Sequence, residues 1–382
     1  MPLQFRTPQV IVTGRGAHEW LTELEELKGK ACALLLVDEA RVEREIEKRC
    51  AGDLKSLGIE VAEFREIGSQ VTSDELLKGL ERVRSRGVDV IVAAGGRNVM
   101  QAAKILALMA TNGEEVVESW GTAEVKKPAM PVIALAMTAG SGAAIAQCAC
   151  YMDSETKTRR CVAHPNLMPA AAILDPGLKS WQAPDEMACD GIVSVGFAVE
   201  SLTSKLSTPV TDACALAAFV ALVRWLPVSY ALGADLAARE QVMYAQQMVS
   251  IAMSNCSCAV ICKLAGQIEA RTRIPFGHAV SALLPPMLEF YEKSVPEKVR
   301  EIAEALRKGG VSVDESSERL SAADLMTRFI QSLDLPLRLS FLGMEETVIP
   351  ELAAAIDCRS YASTTPRPVD EKVLTAILNR AL

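Results

Sequence analysis

The stretch Asp89–Lys104, DVIVAAGGRNVMQAAK, decides how the first half of this chain is read. Val88–Ala94 (VDVIVAA) reads as a strand buried on both faces. Gly95 and Gly96 close it, and the Ala-rich segment Asn98–Ala110 reads as a helix. A strand that ends in glycines and opens into a helix offers free backbone N–H groups and the positive end of the helix dipole, which together favour a phosphate. Glycine also lets the backbone approach a diphosphate closely. A double glycine is equally the mark of a plain tight turn. Arg97 cuts both ways, since it can pair with a phosphate or fill the place of one.

The same pattern repeats on either side. Ala31–Val37 (ACALLLV) is a second apolar run, closed by Asp38, which is placed to accept hydrogen bonds from an adenosine ribose or simply to form a turn. Pro131–Met137 (PVIALAM) is a third, running into the small-residue loop Thr138–Gly142. Ser73–Arg86 has helical periodicity behind Thr72 or Ser73 as cap. Strands separated by helices predict a parallel sheet with crossover helices, and two loops flanking one nucleotide at a switch point.

Past Asp175-Pro-Gly-Leu178 the pattern becomes helical: 184–205, 209–232, 236–265, 277–293, 296–308, 321–334, 347–357 and 370–381. The expected division is an α/β domain over 1–180 and a helical domain over 181–382.

Composition sets the outer limits. Of 382 residues 50% are hydrophobic and only 4% aromatic, so a sizeable core rests on Ala, Val, Leu and Ile. The net charge of −8 and the lack of a Lys/Arg-rich run argue against a nucleic-acid partner. Cys214–Ala237 is strongly apolar but is interrupted by Arg224, Pro227 and Asp235, which favours a core helix over a membrane span. Eleven cysteines with no export signal predict reduced thiols and a cytoplasmic protein.

Taken together these segments resemble the iron-containing (group III) alcohol dehydrogenase family, nearly end to end. Thr13–Ala17 looks like the family's opening turn, Asp89–Lys104 like its strand–GGGSxxDxAK–helix element, and MTAGSGAAI (137–145) like its TTAGTGSEV loop. HPNLMPAAAILDPGL (164–178) resembles its segment ending in DPxL, IPFGHAVSALLPPMLEFY (274–291) its IPHGxANAxLLPxVxxFN stretch, and TTPRPVDEKVLTAIL (364–378) its C-terminal NPRPxTxEDxxxIL. The resemblance implies a dehydroquinate synthase-like fold. A Rossmann-like domain would bind NAD or NADP, a helical domain would follow, and an iron or zinc ion would polarise the reacting oxygen in the cleft between them. It further implies a homodimer, or pairing with an active paralogue. The nucleotide contacts it implies are Asp38, Gly95, Gly96, Asn98, Thr138, Arg159 and Leu178. The charge of Asp38 would repel a 2′-phosphate, which favours NAD.

The chain departs from the family where the metal belongs. By position, the ligands, an Asp and three His, fall on Val193, Phe197, Cys262 and Phe276, and a further family histidine falls on Gly266. Val and Phe cannot ligate, and two phenyl rings bury ~150–250 Å² each, enough to fill much of such a site. Cys256, Cys258 and Cys262 do not share one helix face. His18 and His164 match no ligand position, and shifting the register to use His278 would break the Ile274-Pro275, Gly277 and Leu283–Pro285 matches. The third family glycine is Arg97 and the helix Asp is Gln101, so the nucleotide loop has drifted as well. The expectation is a metal-free relative without alcohol dehydrogenase activity, acting by nucleotide or partner binding. The alternative is a metal-independent NAD(P)H-dependent reductase of a small carbonyl compound, with Lys263, Gln267, Arg271, Arg273 or His278 as proton donor. A Cys262 nucleophile has no base visible in the sequence.

Overall fold

The computed structural model describes residues 4–37, 44–68, 70–115, 125–137, 142–156, 158–178, 183–257, 259–311 and 320–382. Two compact units divide the chain, one of Arg6–Gln182 and one of Ala183–Leu382 together with the N-terminal residues up to Phe5.

The first unit contains β1 (Val10–Thr13), β2 (Cys32–Val37), β3 (Glu60–Phe64), β4 (Val90–Gly95), β5 (Val132–Ala136), β6 (Cys148–Met152), β7 (Arg159–Ala163) and β8 (Ala171–Leu174). Six of these form a parallel sheet in the order β1-β8-β5-β4-β2-β3. Every residue of β2, β4, β5 and β8 is buried, because crossover helices cover both faces of a parallel sheet. The edge strands β1 and β3 are only partly buried, and β3 lacks the apolar run that marks the interior strands. From β2 the chain steps outward to β3, then returns to pair β4 on the other side of β2. That reversal makes a switch point between the C-terminal ends of β2 and β4.

Helices α1 (Arg44–Ser56), α2 (Ser73–Arg86) and α3 (Arg97–Asn112) make the crossovers. A capping box starts α2, with the Thr72 side chain on the Glu75 amide and the Glu75 carboxylate on the Thr72 amide. Lys104 of α3 is fully buried and donates to the carbonyls of Ala143, Ala146 and Cys148 at 2.8, 3.0 and 2.5 Å. Burial pulls its pKa down to about 8.

Strands β6 and β7 form a separate antiparallel hairpin in which Cys150 faces Cys161. These two are joined as a disulfide with Cα atoms 4.1 Å apart, which corrects the expectation of thiols throughout. Cross-strand register sets two side chains next to each other whatever their distance in sequence. Cys32, Cys50, Cys148, Cys189, Cys214, Cys256, Cys262 and Cys358 carry thiols.

The second unit is helical: α4 (Pro184–Thr203), α5 (Pro209–Ala231), α6 (Leu236–Cys256), α7 (Val260–Thr272), α8 (Phe276–Glu292), α9 (Pro296–Lys308), α10 (Ala322–Gln331), α11 (Ile349–Ala354) and α12 (Glu371–Ala381). Helix α5 packs against α4 and α6, and α8 against α4 and α7. By length and composition α5 could cross a membrane. Its Ala215, Ala218, Phe219, Leu222 and Leu226 are nonetheless fully buried, and Leu226 lies directly over Gly191 of α4.

The single helix expected over 236–265 is two. Helix α6 stops at Cys256, Ser257 takes φ 63°, and α7 starts at Val260. Neither glycine nor proline marks the break. Its cause lies in α4: Glu200 accepts the amides of Ala259 and Ile261 at 3.0 and 2.6 Å, fixing where the new helix begins.

Candidate functional site

In the first unit the glycine loop stands at the switch point. Gly95 ends β4 with φ 154°, a backbone conformation that L side chains rarely adopt, and Gly96 caps α3. The first turn of α3 therefore presents its free amides at the C-terminal edge of the sheet, the place where an open parallel sheet takes a nucleotide. Asn98 directs its side-chain amide to the Gly68 carbonyl at 3.2 Å, so it ties the loop before α2 to α3. Arg159 lies half-buried on β7, and Leu178, just beyond β8, is buried. Asp38 and Thr138 lie outside the described residues. His18, given no role from sequence, pairs through Nδ1 with the buried carboxylate of Asp175 at 2.5 Å.

In the second unit α4, α7 and α8 carry the four positions where the resemblance places metal ligands. Val193, Phe197, Cys262 and Phe276 are 2%, 8%, 9% and 5% exposed. Gly196, between Val193 and Glu200 on α4, has room for neither a Cβ nor a gap: such an atom would sit 2.9 Å from Val280 of α8 and 3.9 Å from Ile261 of α7. The three helices are thus closely packed there. Gly266 is buried in α7. The Cys262 thiol donates to Glu200 at 2.9 Å, and that carboxyl is fully buried. Burial pushes the Glu200 pKa up, against the pull of the thiol and the backbone amides that donate to it. The same burial, with Glu200 and Cys262 nearby, drives the Tyr291 phenol well above its ordinary value. Its hydroxyl has no hydrogen-bond partner among the described residues.

Aliphatic and phenyl side chains have no lone pair to give, and the one sulfur is hydrogen-bonded to an acid. This donor set does not fit the family's ion. Cys256, once a candidate companion to Cys262, ends a different helix, and burial raises its thiol to about 11. Cys258 lies outside the described residues. Two of the proton donors named from sequence have partners: Arg271 pairs with Glu351 and Gln267, and His278 with Asp185.

That last pair belongs to a group of side chains that could hold a metal ion, so the expectation of a metal-free chain is not supported. Asp185, Cys189 and His278 each present one ligand atom, and these atoms all lie within 4.8 Å of one another. From sequence His278 is a candidate proton donor and a ligand only under a register shift that breaks the neighbouring matches. Asp185 and Cys189 escaped sequence reading because an i, i+4 pair says nothing until the facing helix is known.

This chain belongs to the iron-containing alcohol dehydrogenase family. Residues 8–176 match the family model for iron-containing alcohol dehydrogenase, and residues 189–382 match the model for the family's C-terminal domain. It is 28% identical to the NAD-dependent methanol dehydrogenase of Bacillus methanolicus over 99% of each chain. It is likewise 28% identical to the 1,3-propanediol dehydrogenase of Klebsiella pneumoniae, over 99% of this chain and 98% of the other. Among solved structures, a 1,3-propanediol oxidoreductase superposes with TM-score 0.90 at 26% identity, covering all of both chains. An archaeal halo-thermophilic alcohol dehydrogenase from a Red Sea brine pool does so with TM-score 0.89 at 26% identity, again over all of both chains.

Proposed function

We propose that this chain is a nucleotide-binding member of the family that does not carry out metal-assisted alcohol oxidation at the family's position. The observation behind this reading is the burial of Val193, Phe197 and Phe276, at 2%, 8% and 5% exposure, where an ion would need oxygen and nitrogen donors. Without a Lewis acid there, nothing on these residues stabilises a developing alkoxide.

The nucleotide half of the reading rests on the switch point between β2 and β4, on Gly95 and Gly96, and on the start of α3. The methanol dehydrogenase relative is NAD-dependent, which favours NAD as the ligand. The chain's own residues would hold the diphosphate by backbone amides and leave the ribose to groups at the end of β2.

Two measurements test this. Fluorescence titration with NADH should saturate at one nucleotide per chain, more tightly than with NADPH. NAD-dependent oxidation of methanol or 1,3-propanediol should stay at background even after loading with ferrous iron. Iron-stimulated turnover of either alcohol would overturn the reading, and failure to bind either dinucleotide would remove its nucleotide half.

A further inference from the structure

We infer that Asp185, Cys189 and His278 form a zinc site, separate from the positions the resemblance assigns to the family's ion. The first two stand four residues apart on α4, so they share one helix face. His278 comes from the first turn of α8. The two helices meet at Gly277, where an added Cβ would lie 2.7 Å from Cα and 2.8 Å from the carbonyl oxygen of Cys189. Only glycine permits that approach, and it sets His278 beside Cys189 through the backbone rather than through mobile side chains.

The donor chemistry selects the ion. A thiolate, an imidazole and a carboxylate together suit zinc and its neighbours and not magnesium or calcium, which want oxygen alone. His278 Nε2 already lies 3.2 Å from Asp185 Oδ1, close to the separation of two donors on one tetrahedral zinc, ~3.3 Å from the bond lengths. All three ligand atoms lie within 4.8 Å of one another, so no donor pair has more than about 1 Å to close. Apart from its Nε2 contact with Asp185 the imidazole makes no hydrogen bond among the described residues, since Nδ1 is buried without a partner.

Charge points the same way. One carboxylate and one thiolate balance a dication, so the loaded site is neutral in a place where His278 is only 15% exposed. Three protein ligands leave a fourth position for water or a ligand from solvent, reached over the exposed Asp185. The ion would also clamp the first turn of α4 to the first turn of α8.

This inference goes beyond the nucleotide reading and stands or falls without it. The full chain, stripped with chelator and kept reduced, is titrated with zinc by calorimetry and with cobalt(II) by absorption. One ion per chain is expected, with the thiolate-to-cobalt charge-transfer band. Cys189→Ser should abolish the band, His278→Gln should weaken zinc binding roughly tenfold or more, and Cys262→Ser should change neither. Asp185→Asn alters an exposed side chain and should fold normally, yet lose most of the rise in Tm that zinc gives the parent chain. Absence of stoichiometric binding, or a band that survives Cys189→Ser and vanishes in Cys262→Ser, would overturn the proposal.

Discussion

Glu200 takes the thiol of Cys262 at 2.9 Å while its two oxygens hold the amides of Ala259 and Ile261. One buried carboxyl thereby occupies the sulfur donor and fixes the start of α7. The pairing also answers whether Cys262 has a base beside it. It has one, but burial raises the pKa of that acid and so opposes the charged form a base requires.

Replacing Glu200 with Ala should destabilise the chain by about 4 kcal/mol, because two buried amides lose their acceptor and a cavity remains. Urea unfolding followed by circular dichroism measures this. A change below about 1 kcal/mol, the range of an ordinary surface substitution, would show that the α7 start does not depend on the carboxyl.

The raised pKa of Glu200 gives a signed pH effect. In the unfolded chain a glutamate titrates near 4.3, so above about pH 4.3 the folded state holds a proton that the unfolded state has lost. The contribution is full below that value and is lost as pH rises through the raised folded value. The stability difference between the parent chain and Glu200→Ala should therefore shrink as pH rises across this window. A difference that grows instead would mean that the carboxylate is the favoured form.

The interior strands were legible because a parallel sheet buries both faces: β2, β4 and β5 are apolar runs, and Gly95-Gly96 marks the end of one of them. The edge strand β3 and the hairpin strand β7 were not, since partly exposed segments carry mixed residues, and β1 and β6 are apolar but short. The break between α6 and α7 was illegible for a different reason. Its signal is Glu200, more than fifty residues away, where propensity cannot register it. The resemblance marked the altered positions at Val193, Phe197, Cys262 and Phe276. The Asp185, Cys189 and His278 group appears only once Gly277 brings α8 onto α4.

Val193→Asp restores a family residue by position and should harm the fold rather than recreate a site. Val193 is 2% exposed, and an unpaired carboxylate there costs about 3–5 kcal/mol. Val193→Ala, which only removes methyl groups, should cost about 1–2 kcal/mol. Thermal unfolding of both variants with and without ferrous iron checks this. Recovery of the Asp variant by iron would mean that enough ligands remain nearby to hold an ion.

Lys104 offers a second signed test, in the first unit. Lys104→Met removes the donors to the carbonyls of Ala143, Ala146 and Cys148 and should lower stability by about 2 kcal/mol at neutral pH. The folded pKa of about 8 lies below the roughly 10.4 of an unfolded lysine. Between those values the unfolded chain binds more protons, so stability gains as pH rises through 8 and levels off near 10.4. Burying the ammonium is the cost, and deprotonation relieves it. The advantage of the parent chain over Lys104→Met should thus widen across that range in denaturant titrations at stepped pH. A constant difference would mean that three carbonyls suffice to keep the buried amine charged throughout.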